Sequence, residues 1–116
     1  MFMALLALGA CEPSATVTDV ETRSLALPPG GELRGLAIVV PNGRALGFVA
    51  QPMEAQETLK QQIELEPADP AMLTVYRTTK KNQFVVTAHA PGNTLLEILD
   101  SRGNATGLAF AVEVTP

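Results

Sequence analysis

The chain has 116 residues, a net charge of −4, 47% hydrophobic and 17% charged residues, one cysteine and no tryptophan. That length supports one domain with one core. Eight Lys and Arg against twelve Asp and Glu, with no basic block, exclude nucleic acid as a partner, because phosphate contact needs clustered cations; a lone cysteine excludes an internal disulfide.

The first ten residues are an apolar run, Phe2 to Leu8, closed by the small pair Gly9 and Ala10, and then comes Cys11. No Lys or Arg precedes the run. Leu8-Gly9-Ala10-Cys11 resembles a bacterial lipobox, where a signal peptide is removed and the new terminal cysteine carries lipid. The resemblance implies a signal peptide over residues 1–10, a lipidated Cys11 and tether over residues 11–15, and export. Glu12 after the cysteine is unlike the aspartate that retains such lipoproteins at the inner membrane, so the resemblance implies the outer membrane. Several acyl chains on one cysteine give stable attachment. The alternative for this segment is a first core strand ending in a buried cysteine. No second apolar stretch approaches the ~20 residues that span a bilayer as a helix.

From Thr16 to Pro116 the chain reads as one domain of short β signals broken by turns. Strands are expected near 16–22, 24–27, 33–40, 45–50, 58–66, 72–77, 83–89, 94–99 and 107–115, the first two readable as one. Period-2 alternation is clearest at the end, with Leu108, Phe110, Val112 and Val114 on one face. Phe84, Val86 and Ala88 repeat the pattern, as do Leu73 with Val75 and Ile63 with Leu65. The run 36–40 is continuously apolar, as in a strand buried on both faces. Residues 53–61 are rich in Glu, Ala, Gln, Leu and Lys, which favours helix, so one short helical turn is allowed near 53–60. Pro28-Pro29-Gly30-Gly31, Pro41-Asn42-Gly43, Pro67-Ala68-Asp69-Pro70, Pro91-Gly92-Asn93 and Ser101-Arg102-Gly103-Asn104 supply the turns. Residues 77–81 read as a solvated hairpin tip. The expected fold is an all-β, antiparallel, immunoglobulin-like β-sandwich of about seven to nine strands.

The second half carries a family resemblance. Asp69, Leu73-Thr74-Val75, Phe84-Val85-Val86-Thr87-Ala88, Pro91-Gly92-Asn93-Thr94, Leu96, Ile98 and the closing Val112-Glu113-Val114 are similar to bacterial immunoglobulin-like domains of adhesins and other surface proteins. Such domains often carry a core tryptophan before the acidic turn. This chain has none, and Ile63 or Leu65 is expected to fill that space.

Catalytic chemistry is sparse. His89 and Cys11 are single copies separated by a tether, a poor nucleophile–base pair and too few ligands for structural zinc. Strand parity puts His89 on the solvent face. Glu64 and Glu66 share a face with Asp69 nearby, and carboxylate pairs serve as acid and base or bind calcium. The spacing here reads instead as a solvated acidic face. Ser24 and Ser101 have no nucleophile-elbow context, and Asn104-Ala105-Thr106 matches a glycosylation sequon by chance. The expectation is a non-enzyme without metal or cofactor, its one modified residue being Cys11. Two roles follow. One is a lipid-anchored binding or structural module with a protein partner in the cell envelope. The other is a periplasmic accessory or inhibitor lipoprotein docking on a secretion machine or enzyme, with residues 51–61 as its contact.

Overall fold

The computed structural model describes residues 16–25 and 31–116. The expected signal segment 1–10, Cys11 with its expected tether, and the turn expected at Pro28-Pro29-Gly30 lie outside the described residues. Ten strands and no helix occur among the described residues. They are β1 (Asp19–Ser24), β2 (Glu32–Arg34), β3 (Ala37–Pro41), β4 (Ala45–Glu54), β5 (Glu57–Thr58), β6 (Glu64–Pro67), β7 (Leu73–Arg77), β8 (Gln83–Ala88), β9 (Gly92–Leu99) and β10 (Ala105–Thr115).

The strands form two packed sheets. Sheet I has the order β2-β3-β10-β9-β6, and sheet II the order β1-β4-β8-β7 with β5 folded back on β4. In sheet II the order is the A-B-E-D of the immunoglobulin sandwich, and β6-β9-β10 stand as its C, F and G. One pair departs from the antiparallel expectation: β3 runs parallel to β10. Its direction is imposed by the next turn, because β3 must deliver the chain to β4 in the other sheet. In that turn the Asn42 N–H donates to the Thr115 carbonyl of sheet I at 2.7 Å and the Gly43 N–H to the Ala88 carbonyl of sheet II at 3.0 Å. Gly43 sits at φ 82°, which glycine adopts without strain.

Alternation decides the core. Leu46, Phe48 and Ala50 on β4, Phe84, Val86 and Ala88 on β8, Leu96 and Ile98 on β9, and Phe110, Val112 and Val114 on β10 all point between the sheets. Ile63 and Leu65 are buried among them. Each large aliphatic or aromatic side chain withdrawn from water contributes about 1.5–3 kcal/mol.

The helical turn expected near 53–60 is absent. Met53 pairs with Thr58 and Glu54 with Glu57, which leaves a two-residue hairpin turn. Ala55 and Gln56 occupy φ 50° and 72°, as a type I′ turn requires. Tertiary pairing of β4 thus overrides the helical composition. The expected strand 58–66 is likewise divided, since the chain crosses between the sheets from Leu59 to Ile63 before β6 begins. Left-handed backbone is unfavourable for residues with a Cβ. Replacing Ala55-Gln56 with Asn-Gly is expected to raise stability by about 1 kcal/mol, read as a thermal midpoint ~4–8 °C higher.

The hairpin tip between β7 and β8 exposes Lys80 and Lys81, as expected. The residue after them does not follow. Asn82 is 2% exposed and lies at φ 58°. Its Oδ1 accepts from the Ile63 N–H at 2.9 Å and its Nδ2 donates to the Gln61 carbonyl at 3.0 Å. It therefore pins the crossing segment, which has no strand neighbour, to the end of sheet II.

Candidate functional site

The functional surface builds up from the outer face of sheet I. The run 36–40 is buried on one face only: Ile38 and Val40 point into the core, while Ala37 is exposed and Val39 half-buried. This corrects the expectation of a strand covered on both sides. Sheet I is a single layer here, and no element among the described residues packs over it.

Register assembles the rest. Ala37 lies beside Ala111, which lies beside Leu95; Val39 lies beside Glu113, which lies beside Asn93. Two alanines in a row make a low floor, and the larger side chains stand as walls. The result is a trough of about 470 Å³ over β3, β10 and β9. Leu95 on its wall is 48% exposed, and Leu95 and Tyr76 are the only large hydrophobic residues so exposed among the described residues. Tyr76 lies on the opposite side of the sandwich, beside Val85 on the outer face of sheet II.

The acidic rim has its own geometry. Glu97 lies directly opposite Glu66 and, across its other edge, opposite Ala109. Side chains in that relation have Cβ atoms about 4.5–5.5 Å apart, and like charges so placed are destabilising. Two ion pairs occur among the described residues: Arg34 with Glu32 at 3.8 Å and Arg77 with Glu64 at 3.9 Å. Neither reaches Glu66, Glu97 or Glu113, all of which are exposed. The surface thus combines an uncovered aliphatic floor with three carboxylates that have no cation beside them.

The other residues singled out from the sequence are dispersed. Cys11 lies outside the described residues. His89 is exposed on the outer side of sheet II, its Nε2 2.7 Å from Thr74 Oγ1 and 3.5 Å from Thr87 Oγ1. Glu64 and Glu66 do share the exposed face of sheet I. Asp69 does not join them: its Oδ1 accepts from the Ala71 N–H at 3.0 Å and shapes the turn into β7. Among the described residues, no group of three or more His, Cys, Asp or Glu side chains is placed to hold a metal ion. The sequon threonine also has structural work. Thr106 Oγ1 donates to the Ile98 carbonyl at 2.7 Å and accepts from the Leu108 N–H at 3.1 Å, holding the bulge where Gly107 takes φ 85°.

Reading by residue type missed Glu97, Glu113 and Leu95. Leu95 breaks the alternation of β9 by standing beside buried Leu96, and an apolar residue at a solvent-face position is the signal that was present.

No family model matches the chain, and no curated protein matches it. Among solved structures, it is similar to the one described as domains 4 and 5 of the S-layer protein SbsC, with a TM-score of 0.56 and 12% sequence identity. The match covers 81% of this chain and 54% of that one, so the chain spans about half the length of the structure it resembles. At that identity the likeness shows a shared fold.

Proposed function

We propose that this chain is a non-catalytic binding and structural module of the bacterial cell envelope, tethered to the outer membrane through lipid on Cys11. The observation that carries the binding role is the uncovered apolar trough with its unpaired glutamates. The envelope setting draws support from the lipobox-like Leu8-Gly9-Ala10-Cys11 and from a fold shared with S-layer protein domains. A rigid sandwich held by a short tether presents an outer sheet face to neighbours.

A second reading, an accessory lipoprotein docking on a secretion machine or enzyme, draws on the hairpin of β4 and β5. Its tip residues Ala55 and Gln56 are exposed and both held in left-handed backbone, and strained backbone persists where a fold over-determines it, often at contact sites. Charge reversal at Glu54 and Glu57 would abolish docking under this reading and leave it unchanged under the first.

The tether is tested by mass spectrometry of the full chain expressed in a bacterial host. The expected product lacks residues 1–10 and carries acyl chains on Cys11, and Cys11→Ser moves the protein out of the membrane fraction. Recovery of an unmodified thiol on a chain retaining Met1 would overturn the anchor.

A further inference from the structure

We propose that the trough on sheet I is the docking site for a basic segment of a partner protein. An apolar side chain of that segment sits on Ala37 and Ala111 against Leu95, and flanking arginine or lysine side chains reach Glu66, Glu97 and Glu113. The proposal deepens the binding-module reading and rests on it.

Three observations lead there. The floor is apolar and uncovered, so an occupant that buries it gains hydrophobic free energy in proportion to the area removed from water. The charge around it is mostly negative: Arg34 on β2, beside Ala37, is turned to Glu32 at 3.8 Å, whereas Glu66 and Glu97 face each other across β6 and β9 without a cation. A fold gains nothing from that arrangement on its own: an exposed position tolerates lysine or glutamine as well as glutamate. Like charges that weaken the free protein are relieved when a cation-bearing partner binds.

The same charges decide against a second copy as occupant. Two-fold pairing centred on this face would crowd the glutamates of both copies into one interface, and like-charge juxtaposition disfavours such pairing. At about 470 Å³ the trough matches a short inserted segment rather than a broad flat interface. Lysine and arginine fit its length, since their aliphatic stems lie on apolar surface while the charged head reaches the rim.

The test uses the full purified chain and a fluorescent short peptide of alternating arginine and leucine. Peptides alternating glutamate with leucine, and arginine with glycine, serve as controls. Binding is expected for the first peptide alone, with affinity falling as salt rises. The double variant Glu97→Gln/Glu113→Gln should weaken it about tenfold, and Ala111→Arg should abolish it. Thermal melts run in parallel: Glu97→Gln removes the repulsion with Glu66 and should raise the midpoint by about 2 °C. A variant that is more stable and yet binds less well cannot owe its loss to misfolding. Equal binding of the arginine–glycine peptide would reduce the effect to bulk charge and overturn the proposal, as would no binding at all. Concentration-dependent dimerisation lost in Ala111→Arg would overturn it in favour of a second copy. Acylation of Cys11 measured on the same preparation separates the two readings, because an acylated chain that ignores the peptide keeps the envelope role and loses this site.

Discussion

Asn82→Ala is expected to remove about 3–5 kcal/mol of folding free energy, enough to leave the domain largely unfolded at elevated temperature. The reason is local and polar. The Asn82 side chain supplies the acceptor for the Ile63 N–H and a donor to the Gln61 carbonyl, and its backbone N–H donates to Gln62 Oε1 at 3.1 Å. Its own carbonyl accepts from the Ala50 N–H at 2.9 Å. Ile63 is fully buried, so water cannot replace the lost acceptor there. A buried polar group left without its partner costs about 1–3 kcal/mol, and alanine at φ 58° adds about 1–2 kcal/mol. The two causes separate with two further variants. Asn82→Gly relieves the backbone and should lose about 1 kcal/mol less than alanine. Asn82→Asp keeps the acceptor, loses the donor and buries a charge, so it should be no better than glycine. Urea unfolding with an unchanged m-value checks all three. Equal stability of the alanine variant and the parent would mean that the crossing segment is held by something else.

Phe48→Ala should be as severe, by about 3–5 kcal/mol, through a different mechanism. Phe48 is fully buried where the two sheets meet. Its ring lies 6.1 Å from Phe84, its cross-strand neighbour in sheet II, and 5.3 Å from Phe110 of sheet I, both tilted. These three rings bind one layer to the other. Truncation leaves a cavity that neither sheet can close, because their spacing is set by the flanking aliphatic pairs, and it forfeits two aromatic contacts worth about 0.5–1.5 kcal/mol each. Against a typical total of about 5–15 kcal/mol, this is a large share. Phe48→Leu fills most of the space and should lose less. Chemical denaturation measures both, and an alanine variant within about 1 kcal/mol of the parent would show that the rings do not hold the layers together.

The strands that alternate strictly were legible from residue type alone. β8 and β10 and the faces of Ile63, Leu65, Glu64 and Glu66 follow from period two, since one side of each strand meets a core. The run 36–40 was misleading for the same reason. Apolar composition records what a strand is able to bury, whereas whether its outer side is covered depends on the number of layers, and among the described residues there is none above it. The helical composition of 53–61 yielded to pairing between β4 and β5, a contact worth more than the small differences in helix propensity. Asn82 was hidden behind Lys80 and Lys81, which mark a solvated tip. Its role depends on the crossing segment arriving at the same place, and no local pattern encodes that. The trough escaped notice because its parts come from β3 and from the distant hairpin of β9 and β10, joined only by register.

The parallel pairing of β3 with β10 has a kinetic consequence. Strands separated by so many residues meet only after a long loop has closed, and domains dominated by such contacts fold slowly, on the order of milliseconds to seconds. Of the ten strands, β10 is synthesised last, and it fills the centre of sheet I between β3 and β9. Until it arrives, two open edges remain unsatisfied, each a template for pairing with another chain. The nascent protein is therefore most prone to aggregate just before Ala105 emerges, and holding it extended until then would serve its yield better than early collapse.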